Sequence, residues 1–174
     1  KTSRKPSPRS EQTSSEGKTT LHGNRRKQRR REAQLLAAVR TLARYNAWTN
    51  EVLLDSVDKL PSDEVTKPRT TLFKSLVHTL NHNLVIEDIF RHHLTSRDHG
   101  YKMRNTETPP ALPSLRSSQR EMDSWLVRWA DGITYDELFA RRRFTFVGDS
   151  EARGDMTAFE SMSAQGLSPD LPVA

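Results

Sequence analysis

The feature that most constrains this chain is a long run of apolar side chains spaced three or four residues apart, beginning just after residue 32. Residues at that spacing share one face of an α-helix, so the run predicts an amphipathic helix. Pro61 ends it, because the residue before a proline is driven out of the α region. We expect a first helix of about 28 residues and about 42 Å. Its face comprises Leu35, Val39, Leu42, Tyr45, Trp48 and Val52, continued by Leu53, Val57 and Leu60.

A second apolar face follows Pro68 and a pair of threonines. Thr70 or Thr71 is the expected N-cap, since a threonine hydroxyl accepts a hydrogen bond from a free N–H of the first turn. The pattern fades by residues 95–98, and a linker rich in proline occupies residues 99–113. The face comprises Phe73, Leu76, Leu80 and Leu84, widened by Val77, Val85, Ile86, Ile89 and Phe90.

A third helix is predicted from a capping box and a further apolar face. Ser118 and Glu121 match the S-x-x-E pattern, in which each side chain satisfies a free backbone N–H near the other residue. Gly132 is placed to end the helix, because glycine is favoured just after a last turn. The buried face would comprise Met122, Trp125, Leu126 and Trp129.

Beyond the third helix, the sequence does little to extend the helical pattern. Residues 144–147 (FTFV) are typical of a short strand, ended by Gly148-Asp149. A short helix is expected later, before a glycine and two prolines stop it. Three helices with broad apolar faces predict an all-α bundle, with a deficient or truncated fourth helix. The apolar residues of that last helix would be Met156, Phe159 and Met162.

The basic charge of the chain is confined to its N-terminal segment. Residues 1–32 contain 11 Lys and Arg against 3 Glu, whereas residues 33–174 contain 17 basic and 19 acidic side chains. Residues 1–31 also contain too little apolar surface to offset the entropy of ordering, so we expect a disordered tail. Three interpretations of its arginine run stay open: a nucleic-acid or nuclear-import patch, a transit peptide, or a solvated tail.

Composition excludes several classes of protein. The chain has no cysteine, hence neither disulfides nor thiolate metal ligands, which suits a cytoplasmic protein. No apolar run approaches the ~18 residues that a membrane-spanning helix needs, so no membrane is expected as a partner. The folded part is nearly balanced in charge, which makes nucleic acid an unexpected partner for it. A homodimer is expected instead, because a deficient fourth helix leaves an apolar face bare.

Three stretches together resemble the DinB-like, or damage-inducible DinB, family of metal-binding four-helix bundles. The first is residues 44–50 (RYNAWTN), the second is residues 79–82 (TLNH) with Asp88, and the third is residues 144–148 (FTFVG). Their order and spacing match the family over residues 34–157. We therefore predict three segments: the basic tail 1–31, the bundle 32–157 and an irregular C-terminal tail 158–174.

The resemblance implies a divalent metal, zinc or nickel in the first place, held by three histidines inside the bundle. One of them corresponds to His82, and the other two form an H-x-x-x-H pair on the last helix. This chain has no histidine after His99, so the pair is missing and the ending resembles a truncated or frame-shifted one. We expect metal to bind weakly or not at all. The family also implies descent from a metal-dependent transferase or hydrolase acting on a small molecule, while the catalytic residues and the substrate stay unidentified.

His78 and His82 form an H-x-x-x-H of their own, and two hypotheses stay open for them. A rescued site would use both imidazoles, although the acidic residues five and six positions after His82 lie off its helix face. Alternatively, His82 is a core histidine whose ring nitrogens are satisfied by hydrogen bonds. The pair His92-His93 falls at the helix end and is expected to face solvent.

Overall fold

The computed structural model describes residues 13–70, 72–145, 147 and 153–164, with side chains for all of these except 13–22, 153, 163 and 164. The chain divides into two units, residues 1–35 and 36–174. The described part is mostly helical, which confirms the predicted all-α class. Its elements are α1 (Thr13–Val57), α2 (Ser62–Thr66), α3 (Leu76–Leu94), α4 (Leu112–Gly132), α5 (Tyr135–Phe139), β1 (Arg141–Thr145), β2 (Arg153–Thr157) and α6 (Ala158–Ala164).

Helix α1 begins at Thr13, well before the apolar pattern does. Residues 23–31 are helical although every one of their side chains is exposed, so the helix there depends on backbone hydrogen bonds and on the good helix propensity of Arg, Lys and Gln. This differs from the disorder predicted for residues 1–31, of which 1–12 lie outside the described residues. The predicted boundaries of the segments, at 31 and 157, stay predictions.

The buried face of α1 differs from the predicted apolar face. Val39, Ala43, Leu54 and Val57 are buried, and two asparagines lie between them on the same side of the helix. The middle of the predicted face, from Tyr45 to Val52, instead points outward. Its members and their exposed fractions are Tyr45 (58%), Trp48 (60%) and Val52 (46%).

Helix α3 begins later than predicted. Its N-cap is Ser75, whose hydroxyl accepts a hydrogen bond from the His78 N–H, so the prediction of Thr70 or Thr71 is wrong. Lys74 explains the late start, because its φ of 63° is left-handed and cannot belong to a right-handed helix. Thr71 lies outside the described residues.

Helix α4 begins earlier than predicted, and Gly132 is its last residue, with Ile133 as the C-cap, and not the glycine expected after the last turn. It starts at Leu112, with Pro113 in its first turn, where a missing N–H costs nothing. The capping box predicted at Ser118 is therefore wrong, since that residue already lies inside the helix. A capping box does form at α5, where Thr134 and Glu137 exchange side-chain and backbone hydrogen bonds.

A strand forms near the predicted place, but β1 spans Arg141–Thr145 and shares only residues 144 and 145 with the predicted 144–147. It pairs antiparallel with β2. Phe144 lies opposite Gly154 in this pair, and a Cβ at residue 154 would come within 2.8 Å of the Phe144 ring. Only glycine fits there without moving the ring. The turn predicted at residues 148–149 lies outside the described residues. Helix α6 follows β2 directly and is seven residues long, so Met156 belongs to a strand and not to the predicted helix.

Five polar side chains, which we call the amide–carboxylate network, join α1, α3 and α4. Glu87 of α3 accepts hydrogen bonds from Asn46 and Asn50 of α1, both at 3.5 Å, and from Gln119 of α4 at 2.6 Å. Oδ1 of Asp123, also on α4, accepts from the same three amides at 3.3, 2.8 and 3.3 Å. Burial raises the pKa of both carboxyls, against the opposing effect of the amides.

Replacing Glu87 with Gln should change how stability depends on pH. Folding raises the pKa of Glu87 above its ordinary 4.5. The folded chain therefore binds the carboxyl proton of Glu87 more tightly than the unfolded chain does. As the pH rises above 4.5 and this proton is lost, Glu87 lowers the free energy of unfolding. Glu87→Gln should therefore gain stability relative to wild type as the pH rises above about 4.5, seen in urea midpoints. Glu121→Gln, at an exposed position, is the matched control. A pH-independent difference between Glu87→Gln and wild type would contradict this account.

Candidate functional site

A pocket of about 370 Å³ lies along one face of α3, next to the β1–β2 pair. Apolar residues form most of its wall, and the remaining lining residues are two histidines, an arginine and a threonine. A volume of this size is within the range that small-molecule sites occupy. The lining residues are His82, Ile86, Ile89, Phe90, His93, Arg104, Phe144, Thr145, Val147 and Met156.

His82, the histidine singled out from the sequence, is partly buried at the wall of this pocket. Its ring stacks on Phe73, with the ring centroids 4.1 Å apart. Its Nδ1 lies 2.5 Å from the carbonyl oxygen of Arg104. A carbonyl oxygen only accepts, so Nδ1 carries the proton and the neutral ring keeps a lone pair on Nε2. Metal-binding histidines commonly show this same arrangement.

The structure does not bring His78 into the pocket. Its Nδ1 lies 2.8 Å from the hydroxyl of Ser75, the residue that caps α3. Of the acidic residues that follow His82, Glu87 belongs to the amide–carboxylate network, and Asp88 accepts a hydrogen bond from Tyr101 at 2.8 Å. Within the described part of the chain, no three His, Cys, Asp or Glu side chains are grouped so that they could hold a metal ion.

The last described helix supplies apolar side chains where the resemblance implies histidines. Ala158 and Met162 are spaced i, i+4 on α6, and they are 0% and 2% exposed. Two imidazoles at such a spacing would share one helix face. Neither residue offers a nitrogen or oxygen ligand, so the residues present do not fit a three-histidine metal centre.

His93 is the functional candidate that the sequence interpretation missed. It was expected to face solvent, yet it is 7% exposed and lines the pocket. Its ring lies 5.2 Å from that of Phe144 and 5.6 Å from that of His99, measured between centroids. Burial lowers the pKa of His93, and His99 lowers it further against a smaller opposing effect of the Thr145 carbonyl. The ring is therefore neutral near pH 7.

The loop after α3 fixes the pocket edge through hydrogen bonds. His99 Nδ1 accepts from the Tyr101 N–H at 2.9 Å, so its Nε2–H donates to the Thr145 carbonyl at 3.0 Å. The Tyr101 hydroxyl donates to Asp88, and burial together with this carboxylate raises the pKa of Tyr101 to about 12. Both nitrogens of His99 are thus in use, unlike those of His82.

Comparison with known proteins identifies a family over most of the chain. A model described as the DinB family matches residues 30–162, which includes every pocket residue named above. No curated protein and no solved structure matches the chain significantly. None of the described helices is long and apolar enough to cross a membrane.

The two tautomers should be visible by NMR. Long-range ¹H–¹⁵N spectra at a pH where the rings are neutral should show the proton of His82 on Nδ1 and that of His99 on Nε2, because their carbonyl partners only accept. Adding Zn²⁺ should shift the resonances of His82, whose Nε2 is available, and leave those of His99 unchanged. The opposite tautomers, or a zinc response confined to His99, would refute the assignment.

Proposed function

This chain belongs to the DinB family, and on that premise we propose that it binds a small, mainly apolar molecule in the pocket beside His82. One observation carries the proposal: a pocket of about 370 Å³ whose wall is mostly aliphatic and aromatic, with polar groups at a few positions. This composition is typical of sites in which apolar surface supplies affinity and a few polar groups set orientation.

We propose that a divalent cation, zinc or nickel, binds His82 only weakly. Support comes from the free Nε2 and from the Arg104 carbonyl that orients the ring. A catalytic zinc site generally uses three protein ligands, and within the described residues no three His, Cys, Asp or Glu side chains are grouped to supply them. Transferase or hydrolase chemistry of the metal-dependent kind would need those missing ligands. Binding is therefore the function that we propose for the pocket.

Filling the pocket should abolish ligand binding. Ile86 lines the pocket and is only partly buried, so Ile86→Trp should occupy the space without disrupting the core. We expect propylbenzene to bind the wild-type chain in saturation-transfer NMR and calorimetry, and to lose at least about tenfold in affinity with Ile86→Trp. Leu72→Trp is the matched control, since Leu72 is 86% exposed and does not line the pocket. Unchanged binding by Ile86→Trp would place the ligand elsewhere.

As a second function, we propose self-association through the outward face of α1, which we call the outer stripe: Tyr45, Trp48 and Val52. The Tyr45 and Trp48 rings lie 5.7 Å apart and are both more than half exposed. At either end of the stripe, the hydroxyls of Thr41 and Ser56 bond to carbonyls of their own helix, at 2.9 and 2.8 Å. Those hydroxyls therefore need no further partner, and the surface of the stripe is largely apolar.

The exposed apolar area of the outer stripe is compatible with binding to a second copy of the chain. With the adjoining Leu53, the stripe exposes on the order of 400 Å² of apolar surface. Two such stripes packed against each other would bury on the order of 800 Å², which is less than the roughly 1,200 Å² of stable complexes and typical of weak, transient association. We therefore expect a weak dimer, whose formation depends on the aromatic pair.

A charge at Trp48 should break this dimer. Central aromatic residues contribute most of the affinity of an interface, so Trp48→Glu should raise the dimer dissociation constant about thirtyfold or more in sedimentation equilibrium. Leu72→Glu introduces the same charge at a more exposed apolar residue outside the stripe and should leave the constant unchanged. A wild-type chain that stays monomeric up to millimolar concentration would rule the dimer out, as would equal effects of both substitutions.

A further inference from the structure

Residues 23–31 of α1, which we call the basic segment, concentrate positive charge on an exposed stretch of helix. The segment contains six Lys and Arg and no acidic residue, and every one of its side chains is exposed. The ion pairs found among the described residues all involve side chains from Arg44 onward. No described side chain therefore neutralises any of these six cations.

The spacing of the six cations places like charges next to each other along the helix. Side chains four positions apart lie on nearly the same side of a helix and form one row. Like charges at that spacing repel and destabilise the helix, so a polyanion lying along the segment would relieve the repulsion. The three rows are Arg25 with Arg29, Arg26 with Arg30, and Lys27 with Arg31.

The three rows surround most of the helix. Neighbouring rows are about 100° apart, so the two outer rows point in nearly opposite directions and the middle row points between them. The remaining side presents Gln28 and Glu32, whose side chains are hydrogen-bonded to each other at 2.9 Å. A flat anionic surface would face the middle row and leave the outer rows pointing sideways. A groove with phosphates on both walls would meet both outer rows at once.

We propose that the basic segment docks in the major groove of duplex DNA and binds the phosphate backbone on both sides of the groove. The major groove of B-form DNA is about 12 Å wide, which matches the ~10–12 Å diameter of a helix with its side chains. Gln28 and Glu32 would then face solvent. Five of the six cations are arginines, whose guanidinium groups can donate two hydrogen bonds to one phosphate. Contacts to phosphate do not read the bases, so the outer rows bind with little dependence on sequence.

Two other polyanions fit the basic segment less well. A helix bound at a membrane surface needs an apolar face, whereas Ala33 is the only aliphatic or aromatic residue in the range 23–34. The major groove of duplex RNA is deep and narrow, so side chains do not read it. Duplex DNA is therefore the partner that the charge and the geometry favour.

Fluorescence anisotropy of the full chain with a DNA duplex of about 20 base pairs tests the proposal. Contacts to about six phosphates predict a slope of about −5 when the logarithm of the association constant is plotted against that of the salt concentration. Replacing both Arg25 and Arg29 with Gln should reduce the magnitude of this slope by about two, and so should the same change in the other outer row. Lys59→Gln together with Lys102→Gln removes the same charge at exposed positions elsewhere and should leave the slope unchanged.

A second pair of variants separates a docked helix from a flexible basic chain. Gln28→Pro keeps all six cations but breaks the helix, because proline lacks the N–H and clashes with the preceding turn. Only part of the segment could then lie in the groove, and affinity should fall at least about tenfold at about 100 mM salt. Gln28→Ala preserves the helix and should bind DNA as wild type does. Circular dichroism of each variant establishes that the rest of the chain is folded.

Several results would overturn the proposal. A wild-type chain that does not bind the duplex would do so, as would a slope that changes with one outer row alone or equally with the Lys59 and Lys102 control. Unchanged affinity of Gln28→Pro would show that a docked helix is not required. Tighter binding to an RNA duplex of the same length, or to vesicles containing phosphatidylserine, would assign the basic segment to a different partner.

Discussion

The amide–carboxylate network is the constraint on which the rest of the structure depends. Two carboxylates in the interior would repel each other and lose hydration, so they need donors from several directions. Asn46 and Asn50 approach from α1 and Gln119 approaches from α4, which fixes how all three helices are rotated. Because Glu87 is held inward, the face of α3 that carries His82 and His93 points away from the amide–carboxylate network. At about 100° per residue, the two histidines fall within about 20° of each other and more than about 100° from Glu87.

The same network explains where sequence patterns failed on α1. An apolar periodicity predicts a helix correctly, because any amphipathic helix shows it. It does not say which of two competing faces is buried. On α1 the interior takes Asn46 and Asn50, whose partners lie far away in sequence, and the aromatic residues Tyr45 and Trp48 face outward. The existence of the three long helices, and their C-terminal ends to within a few residues, were therefore predictable from local sequence. The short helices α2 and α5 were not predicted, and the rotation of α1 depended on contacts between helices.

The two pocket histidines show the same difference between what local sequence predicts and what depends on distant contacts. His82 was found through a local motif on a helix, and its position on the pocket wall agrees with that motif. His93 was missed because it lies in the last turn of α3, where side chains are usually solvated. Its burial comes from β1, a strand some fifty residues later whose Phe144 packs against the ring. One local signal existed: His93 follows His82 by eleven residues, close to three turns, so both fall on one face.

The protonation of the His82 and His93 imidazoles limits the ligands that each end of the pocket can bind. At one end the Arg104 carbonyl holds the proton of His82 on Nδ1, so that its other nitrogen is a Lewis base. At the other end the His93 ring is buried, and burial lowers its pKa, so this imidazole is uncharged near pH 7. A metal centre needs several lone pairs converging on one point, and α6 contributes Ala158 and Met162 in place of such ligands. With apolar residues there, hydrogen bonding and apolar burial become the interactions through which this pocket can select a ligand.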